Sequence, residues 1–279
     1  MRIVESIKEM EELCKSSSDS AVVPTMGALH SGHVALLKEA RKSEVVIATL
    51  FVNPLQFNDS SDYELYPRTL DEDINIFNQC KVDILFKPSK EDILRPGSFQ
   101  NISAGYEGEL WEGKFRKGHF DGVLTIVNKI FQITKPRRAI FGTKDIQQVA
   151  LISDKLGHKH NVDIVSVETV RNSDGLAFSS RNRLLSDKGL SKATIIYNAL
   201  REGVLECGKG SSPEMVIKRI DQILASEPDF KKQYAGIDFF LIDGTKKLVI
   251  LVAGFVEGVR LIDNMIYDTH TYEKYSASL

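Results

Sequence analysis

Cysteine is scarce in this chain: Cys14, Cys80 and Cys207 are the only three among 279 residues. They are far apart, odd in number and without CxxC or metal-ligand spacing. A disulfide framework is therefore not expected, and a reducing compartment is. Proline and glycine are few for the length, and neither an internal repeat nor a low-complexity tail interrupts the chain. Charge of one sign is also lacking, with a net of −2 and a sequence pI near 6.3. That balance argues against nucleic acid or an anionic membrane as the main partner, since both call for a basic surface, but it permits a local basic pocket for a small anion. No apolar run approaches membrane-spanning length. The opening stretch MRIVESIKEMEELC mixes acids among its apolar residues, so no signal peptide is expected there. The expectation is a soluble, cytoplasmic protein.

What is present is a globular composition, 42% hydrophobic and 27% charged, with ample core for one large domain or two ordinary ones. Residues 2–16 carry helical spacing (Ile3, Ile7, Met10, Leu13) and end in the polar run KSSSDS, read as a loop. AVVPT reads as a short buried strand, and HVALLKEARK as a helix with Val34, Leu36, Leu37 and Ala40 inward. EVVIATLFVN is a second strand, rich in β-branched residues, followed by the polar loop QFNDSSDYELYP. RTLDEDINIFNQC is a helix and VDILFKP a third strand. GVLTIVNKIFQIT is an apolar helix stopped by Pro136. RRAIFGTKDIQQVALISDKLG gives strand, glycine turn and a helix ending near Gly157, before the strand VDIVSVETV. Strand–helix alternation of this kind predicts a doubly wound parallel sheet over residues 1–172. Residues 173–279 change character: helices at about 187–206 and 213–225 precede GIDFFLID, KLVILVAGFV and GVRLIDN, which read as a small antiparallel sheet. This is a second, smaller α+β domain.

The segment PTMGALHSGH runs from a strand into a helix start. In an open parallel sheet, ligands bind beyond the carboxyl ends of the strands, where helix N-termini favour anions. Gly27 and Gly32 allow close backbone approach, and His30 and His33, three apart, can face one bound phosphate. The alternative is that both histidines only cap and solvate a turn. Zinc is disfavoured because no third ligand lies nearby.

Five other segments offer chemistry, each with a plainer reading. Gln56, in FVNPLQF, follows a strand and a proline turn; its amide suits a small hydroxy acid, although a solvated loop glutamine is the commoner case. In FGTKDIQQ, Lys144 can neutralise phosphate and Asp145 can accept from a ribose or base, or both are ordinary first-turn charges. Gln148 shares a face with Asp145, whereas Gln147 points elsewhere. FSSRN offers Ser179, Ser180 and Arg181 to phosphate oxygens, or is a polar linker. FRKGHFDGV brings Arg116, Lys117 and His119 before an apolar helix, as substrate contacts or as a basic loop. Asp71, Glu72 and Asp73 have the composition of a hydrated Mg²⁺ site, but their place in a helical first turn favours a helix-dipole reading, so no metal ligand is assigned.

HSGH after a first strand resembles the HxGH signature of the nucleotidyl-transferase superfamily that includes class I aminoacyl-tRNA synthetases. The longer PTMGALHSGH, with FVNPLQF, YPRTLDED, GHFDGV, FGTKDIQQ, DGLAFSSRN and RLIDN in the same order over residues 24–264, closely resembles the pantothenate synthetase (pantoate–β-alanine ligase) family. The resemblance implies a Rossmann-like ATP- and pantoate-binding domain and a smaller, lid-like C-terminal domain that carries SSRN at its start. It implies ATP-dependent condensation of (R)-pantoate with β-alanine through a pantoyl adenylate, releasing AMP and pyrophosphate, with Mg²⁺ accompanying the ATP phosphates.

The same resemblance carries residue roles. The turn Met26, Gly27, Ala28 and Leu29, continued by His30, Ser31, Gly32 and His33, contacts ATP. So do Gly142, Thr143, Lys144 and Asp145 at a second strand end, and Val170, Phe178, Ser179, Ser180 and Arg181 further on. His33 is the catalytic histidine, with His30, Lys144 and Arg181 supporting the developing charge. Gln56 and Gln148 contact pantoate, and Arg116 and His119 become secondary candidates for substrate or phosphate. Thr143, Ile146, Lys117 and Phe178 depart from the residues usual in the family. A homodimer and small-molecule substrates, not nucleic acid, are the implied partners. The rivals are a nucleotidyltransferase that keeps the nucleotide on its product, a tRNA-charging or tRNA-binding module, and a non-enzymatic scaffold.

Overall fold

A computed structural model describes residues 1–15, 19–58, 60–268, 270 and 273, the side chains of residues 60 and 61 excepted. Residues 16–18 of the KSSSDS run, and residue 59 of the polar stretch further on, lie outside them. The chain divides into two compact units: Met1–Thr143 with Gln147–Glu168, and Lys144–Ile146 with Thr169–Leu279. Among the described residues no helix is long and apolar enough to cross a membrane.

The first unit is an α/β layer structure. Its parallel sheet, in the order β1-β4-β3-β2-β5-β6, consists of β1 (Arg2–Val4), β2 (Ser20–Thr25), β3 (Val45–Leu50), β4 (Ile84–Phe86), β5 (Arg138–Gly142) and β6 (Asp163–Val167). β2 and β3 read as continuous apolar runs because helices cover both faces of a parallel sheet. Ala21, Val23, Val46, Ala48 and Ile140 on one face are buried with Leu37, Ala40 and Phe77. The order reverses between β2 and β5: β2 leads to β3 and β4 on one side, and β5 and β6 lie on the other. That reversal is where a doubly wound sheet opens a crevice at its carboxyl edge.

Three expectations need correction here. Residues 2–16 are not one helix. Arg2–Val4 pair in parallel with Ile84–Phe86 as an edge strand, and the helix is Ile7–Cys14, with the Ser6 side chain accepting from the Glu9 N–H. Strand pairing outweighs a 3.6-residue spacing that only one apolar position, Ile3, extended past the cap. The stretch after β3 is not all loop, because it forms a 3₁₀ turn at Pro54–Gln56 and a helix at Ser60–Leu65. The helix expected to end near Gly157 continues past a π turn, Ser153–Gly157, to His160.

In the second unit, β7 (Lys231–Ile242), β8 (Thr245–Val256) and β9 (Val259–Tyr267) form the antiparallel sheet. Both hairpins turn on two residues with positive φ, Asp243-Gly244 (48° and 73°) and Glu257-Gly258 (52° and 79°). Such pairs match the right-handed twist of the strands they join. Helices Ile195–Gly208 and Pro213–Ala225 bury Ala199, Leu200, Val204, Val216 and Ile220 against Ile250, Val252 and Val256. The expected 187–206 helix is two, Asp187–Ala193 and Ile195–Gly208, parted at Thr194.

Candidate active site

In the first unit the segments after β3, β2 and β5 leave neighbouring strands at their carboxyl ends. After β2 the backbone turns sharply through Gly27 (φ 86°) and Ala28 (φ 50°). A Cβ on Gly27 would stand 2.9 Å from Leu50 Cδ1 and 3.0 Å from Asp73 Oδ2, so only glycine fits. The turn is held from within by Asp73, which is 1% exposed. Its Oδ2 accepts from the Ala28 N–H at 3.0 Å, and its Oδ1 from the Leu29 N–H at 2.8 Å and the Thr69 hydroxyl at 3.2 Å. Asp73 does lie in the first turn of the helix Leu70–Gln79, as expected, and its carboxylate also holds the turn after β2.

His30 is the N-cap of helix Ser31–Ala40. Its Nδ1 accepts from the Gly32 N–H at 3.1 Å, while His33 Nδ1 accepts from the His30 N–H at 3.3 Å. The two imidazoles lie with ring centroids 4.1 Å apart and planes tilted by 43°. The amides of Ala28, Leu29, His30 and Gly32 all serve internal acceptors. With each Nδ1 accepting, a neutral ring carries its proton on Nε2. Gly27, Ala28 and Leu29 are buried, Met26, His30, Gly32 and His33 half-buried, and Ser31 exposed.

After β3, Asn53 is buried and caps the 3₁₀ turn by accepting from the Leu55 N–H at 3.0 Å. Its Nδ2 donates to Gly122 O at 3.1 Å and to Gln56 Oε1 at 3.0 Å. The secondary candidates also hold this turn from outside. Buried His119 places Nδ1 2.7 Å from the Gln56 carbonyl oxygen, to which Arg116 Nη2 also donates at 3.3 Å.

Beyond β5, Gly142 is half-buried and Thr143 buried. Gln148 is half-buried, and its side chain makes no hydrogen bond among the described residues. Gln147 does point elsewhere. Its Nε2 donates to the carbonyls of Glu107 (2.8 Å) and Leu110 (2.9 Å), and its Oε1 accepts from the Glu112 N–H at 3.1 Å, pinning the segment that leads to Arg116.

The second unit holds the remaining candidates. The Lys144 carbonyl accepts from Asn264 Nδ2 at 2.8 Å, and Lys144 Nζ lies 4.0 Å from Asp145 Oδ1. The Phe178 N–H donates to Val170 O at 3.0 Å, and Ser179 Oγ accepts from the Arg181 N–H at 3.3 Å. Ser180 is buried and Arg181 half-buried. The loop's base is fastened by Arg171, whose guanidinium forms a fork on Asp263 at 2.5 and 3.0 Å and also donates to the carbonyls of Gly175 and Asn264.

Burial pushes the thiols of Cys14 and Cys207 up to about 11 and that of Cys80 upward as well, so none is a ready thiolate nucleophile. Among the described residues no group of three His, Cys, Asp or Glu side chains is arranged to hold a metal ion.

Residues 2–266 match the family described as pantoate-beta-alanine ligase. The chain belongs to that family. It is 40% identical to the pantothenate synthetase of Coprothermobacter proteolyticus, covering 96% of this chain and 99% of that protein. A crystal structure of pantothenate synthetase from Thermus thermophilus superposes with a TM-score of 0.89 at 36% identity, covering 96% of this chain and all of that one. A second, from Francisella tularensis and complexed with beta-gamma ATP and beta-alanine, gives 0.80 at 37% identity over 95% and 97% of the two chains. Membership of this ligase family gives purpose to contacts that sequence reasoning missed. Asp73, Asn53 and Gln147 shape the segments bearing His30, His33, Gln56 and Gln148, and Asp263 and Asn264 fasten those bearing Arg181 and Lys144. All five sit inside motifs quoted from the sequence, yet nothing within a motif names a contact dozens of residues away.

Proposed function

We propose that this chain condenses (R)-pantoate with β-alanine at the expense of ATP, through a pantoyl adenylate. A pantoate carboxylate oxygen attacks the α-phosphorus, and pyrophosphate leaves with the electron pair of the broken P–O bond. The β-alanine amine then attacks the acyl carbon. AMP departs, the amide bond forms and a proton is released. The protein's task is alignment and charge stabilisation rather than covalent catalysis.

The observation that carries this reading is the reciprocal imidazole cap after β2. It seats both imidazoles at the carboxyl edge of the sheet, beside the strand that leads to Gln56. His33 donates to the phosphate oxygens as negative charge develops, and His30 supports it. Lys144 and Arg181 supply positive charge to the phosphates, while Gln56 and Gln148 bind pantoate. The remaining turn residues from Met26 to Gly32, with Gly142, Thr143, Asp145, Val170 and Phe178–Ser180, complete the nucleotide contacts. Mg²⁺ would accompany the triphosphate, and no step is assigned to it. Residues 1–172 act as the ATP- and pantoate-binding domain and 173–279 as the lid-like one, in a cytoplasmic homodimer.

The test is single-turnover adenylate formation. His33→Ala should slow it by about 100-fold or more, as loss of one preorganised donor does; an unchanged rate would remove His33 from the chemistry. AMP release with ATP, pantoate and β-alanine, each omitted in turn, checks the reaction. A nucleotide retained on the product would indicate a transferase instead.

A further inference from the structure

Gln56 is held more tightly than a solvated loop glutamine requires, and the holding groups dictate what it can present. Asn53 has two backbone partners of opposite kind. Its Oδ1 accepts from the Leu55 N–H at 3.0 Å, and its Nδ2 donates to Gly122 O at 3.1 Å. An N–H only donates and a carbonyl only accepts, so turning the Asn53 amide over would set donor against donor and acceptor against acceptor. The orientation of Asn53 is therefore forced. Its second Nδ2 hydrogen meets Gln56 Oε1 at 3.0 Å, which forces the orientation of Gln56 in turn. The carbonyl end is committed to Asn53, and the NH₂ end is left for a ligand.

The backbone under Gln56 is fixed by a second set of contacts. Since the Gln56 carbonyl oxygen accepts, His119 Nδ1, 2.7 Å away, must carry the hydrogen. Nε2 of the neutral ring is then an acceptor, and Arg116 Nη1 lies 3.1 Å from it. Glu112 Oε2, 3.8 Å from the same Nη1, holds the guanidinium. Gly122 completes the fit, because a Cβ there would stand 2.3 Å from Leu55 O and 2.8 Å from Gln56 N.

We propose that Asn53 and His119 are positioning residues that fix Gln56 as a hydrogen-bond donor toward an oxygen of pantoate. Asn53 sets which end of the amide faces the ligand, and His119 sets where the turn carrying it sits. The inference rests on the reading that Gln56 binds pantoate. It selects a ligand whose facing atom is an acceptor, a carboxylate or hydroxyl oxygen, over one that presents an ammonium group.

The experiment measures KM for pantoate and for ATP, with kcat, in Gln56→Ala, Asn53→Ala, His119→Ala, His119→Asn and His119→Gln, alongside each thermal midpoint. The amide nitrogen of Asn falls close to the position of Nδ1, whereas that of Gln falls near Nε2. Asn should therefore restore the bond to the Gln56 carbonyl and Gln should not. Asn53→Ala, His119→Ala and His119→Gln should each raise the pantoate KM by about tenfold, the loss of one hydrogen bond. His119→Asn should stay within about threefold of the parent, and the ATP KM should hold throughout. If Gln56→Ala leaves the pantoate KM unaltered, the pantoate assignment fails and this inference with it. If Gln56→Ala raises it while Asn53→Ala and His119→Ala do not, positioning fails and the assignment stands. Equal loss in His119→Asn and His119→Gln, at parental thermal midpoints, overturns the backbone role of His119.

Discussion

The turn after β2 and the segment from Arg171 to Arg181 both carry candidate nucleotide contacts, yet different chemistry fastens them. In the first, backbone amides point inward to a buried carboxylate and to two imidazoles, so His30 and His33 are fasteners and candidate ligands at once. In the second, a guanidinium–carboxylate fork at the loop's base does the fastening, from Asp263, 92 residues along the chain. Within the loop, Ser179 Oγ adds a local cap by accepting from the Arg181 N–H. Anchoring and contact are thus shared by the same residues in the first region and divided between different residues in the second. Variants should separate stability from activity readily in the second and with difficulty in the first.

The largest effect on stability is expected where a charge would be stranded. Arg171→Ala leaves Asp263, whose side chain is 4% exposed, without its guanidinium, and should cost about 3–5 kcal/mol of unfolding free energy. Arg171→Lys keeps the charge but not the fork, so it should recover only part of that loss. Urea unfolding of both variants checks this; an Arg171→Ala protein within about 1 kcal/mol of the parent would show that the fork is incidental.

A smaller loss is expected in the turn. Asp73→Asn keeps one acceptor oxygen but sets an NH₂ against one of the two amides that Asp73 now serves. One buried donor left unsatisfied costs about 1–3 kcal/mol. Because the same amides hold the turn's shape, the ATP-dependent rise in thermal midpoint should shrink along with stability. A full ATP-dependent shift in an otherwise destabilised Asp73→Asn protein would separate anchoring from contact here too, and would break the comparison.

The difference between the regions also explains what could be read from sequence. Apolar runs announced β2, β3, β5 and β6, and PTMGALHSGH marked the histidine turn. Each of these signals is complete within a short stretch of chain. Asp73 acts on Ala28 across 45 residues and His119 on Gln56 across 63, and only the fold makes such pairs neighbours. β1 escaped for the same reason, since Arg2 finds its register partner far along the chain at Ile84. Candidate ligand contacts could be named from short motifs, whereas side chains that face other side chains or the backbone could not.

The smallest effect on stability should come from a substitution that tests the double role of His30 directly. Asparagine is among the best N-cap residues, and its side-chain oxygen can take the Gly32 N–H that His30 Nδ1 now accepts. His30→Asn should therefore hold stability within about 0.5 kcal/mol of the parent, whereas His30→Ala should lose about 1 kcal/mol with the cap. Neither variant keeps an Nε2–H, nor the ring that lies 4.1 Å from His33. If His30 donates to phosphate, both should slow adenylate formation by at least about tenfold. The two rates should also agree closely, although the two stabilities differ. Parental rates in His30→Asn with slow ones in His30→Ala would mean that the cap alone matters. In that case His33 is the single imidazole of the pair engaged with the nucleotide, and His30 belongs with Asp73 among the residues that hold the turn.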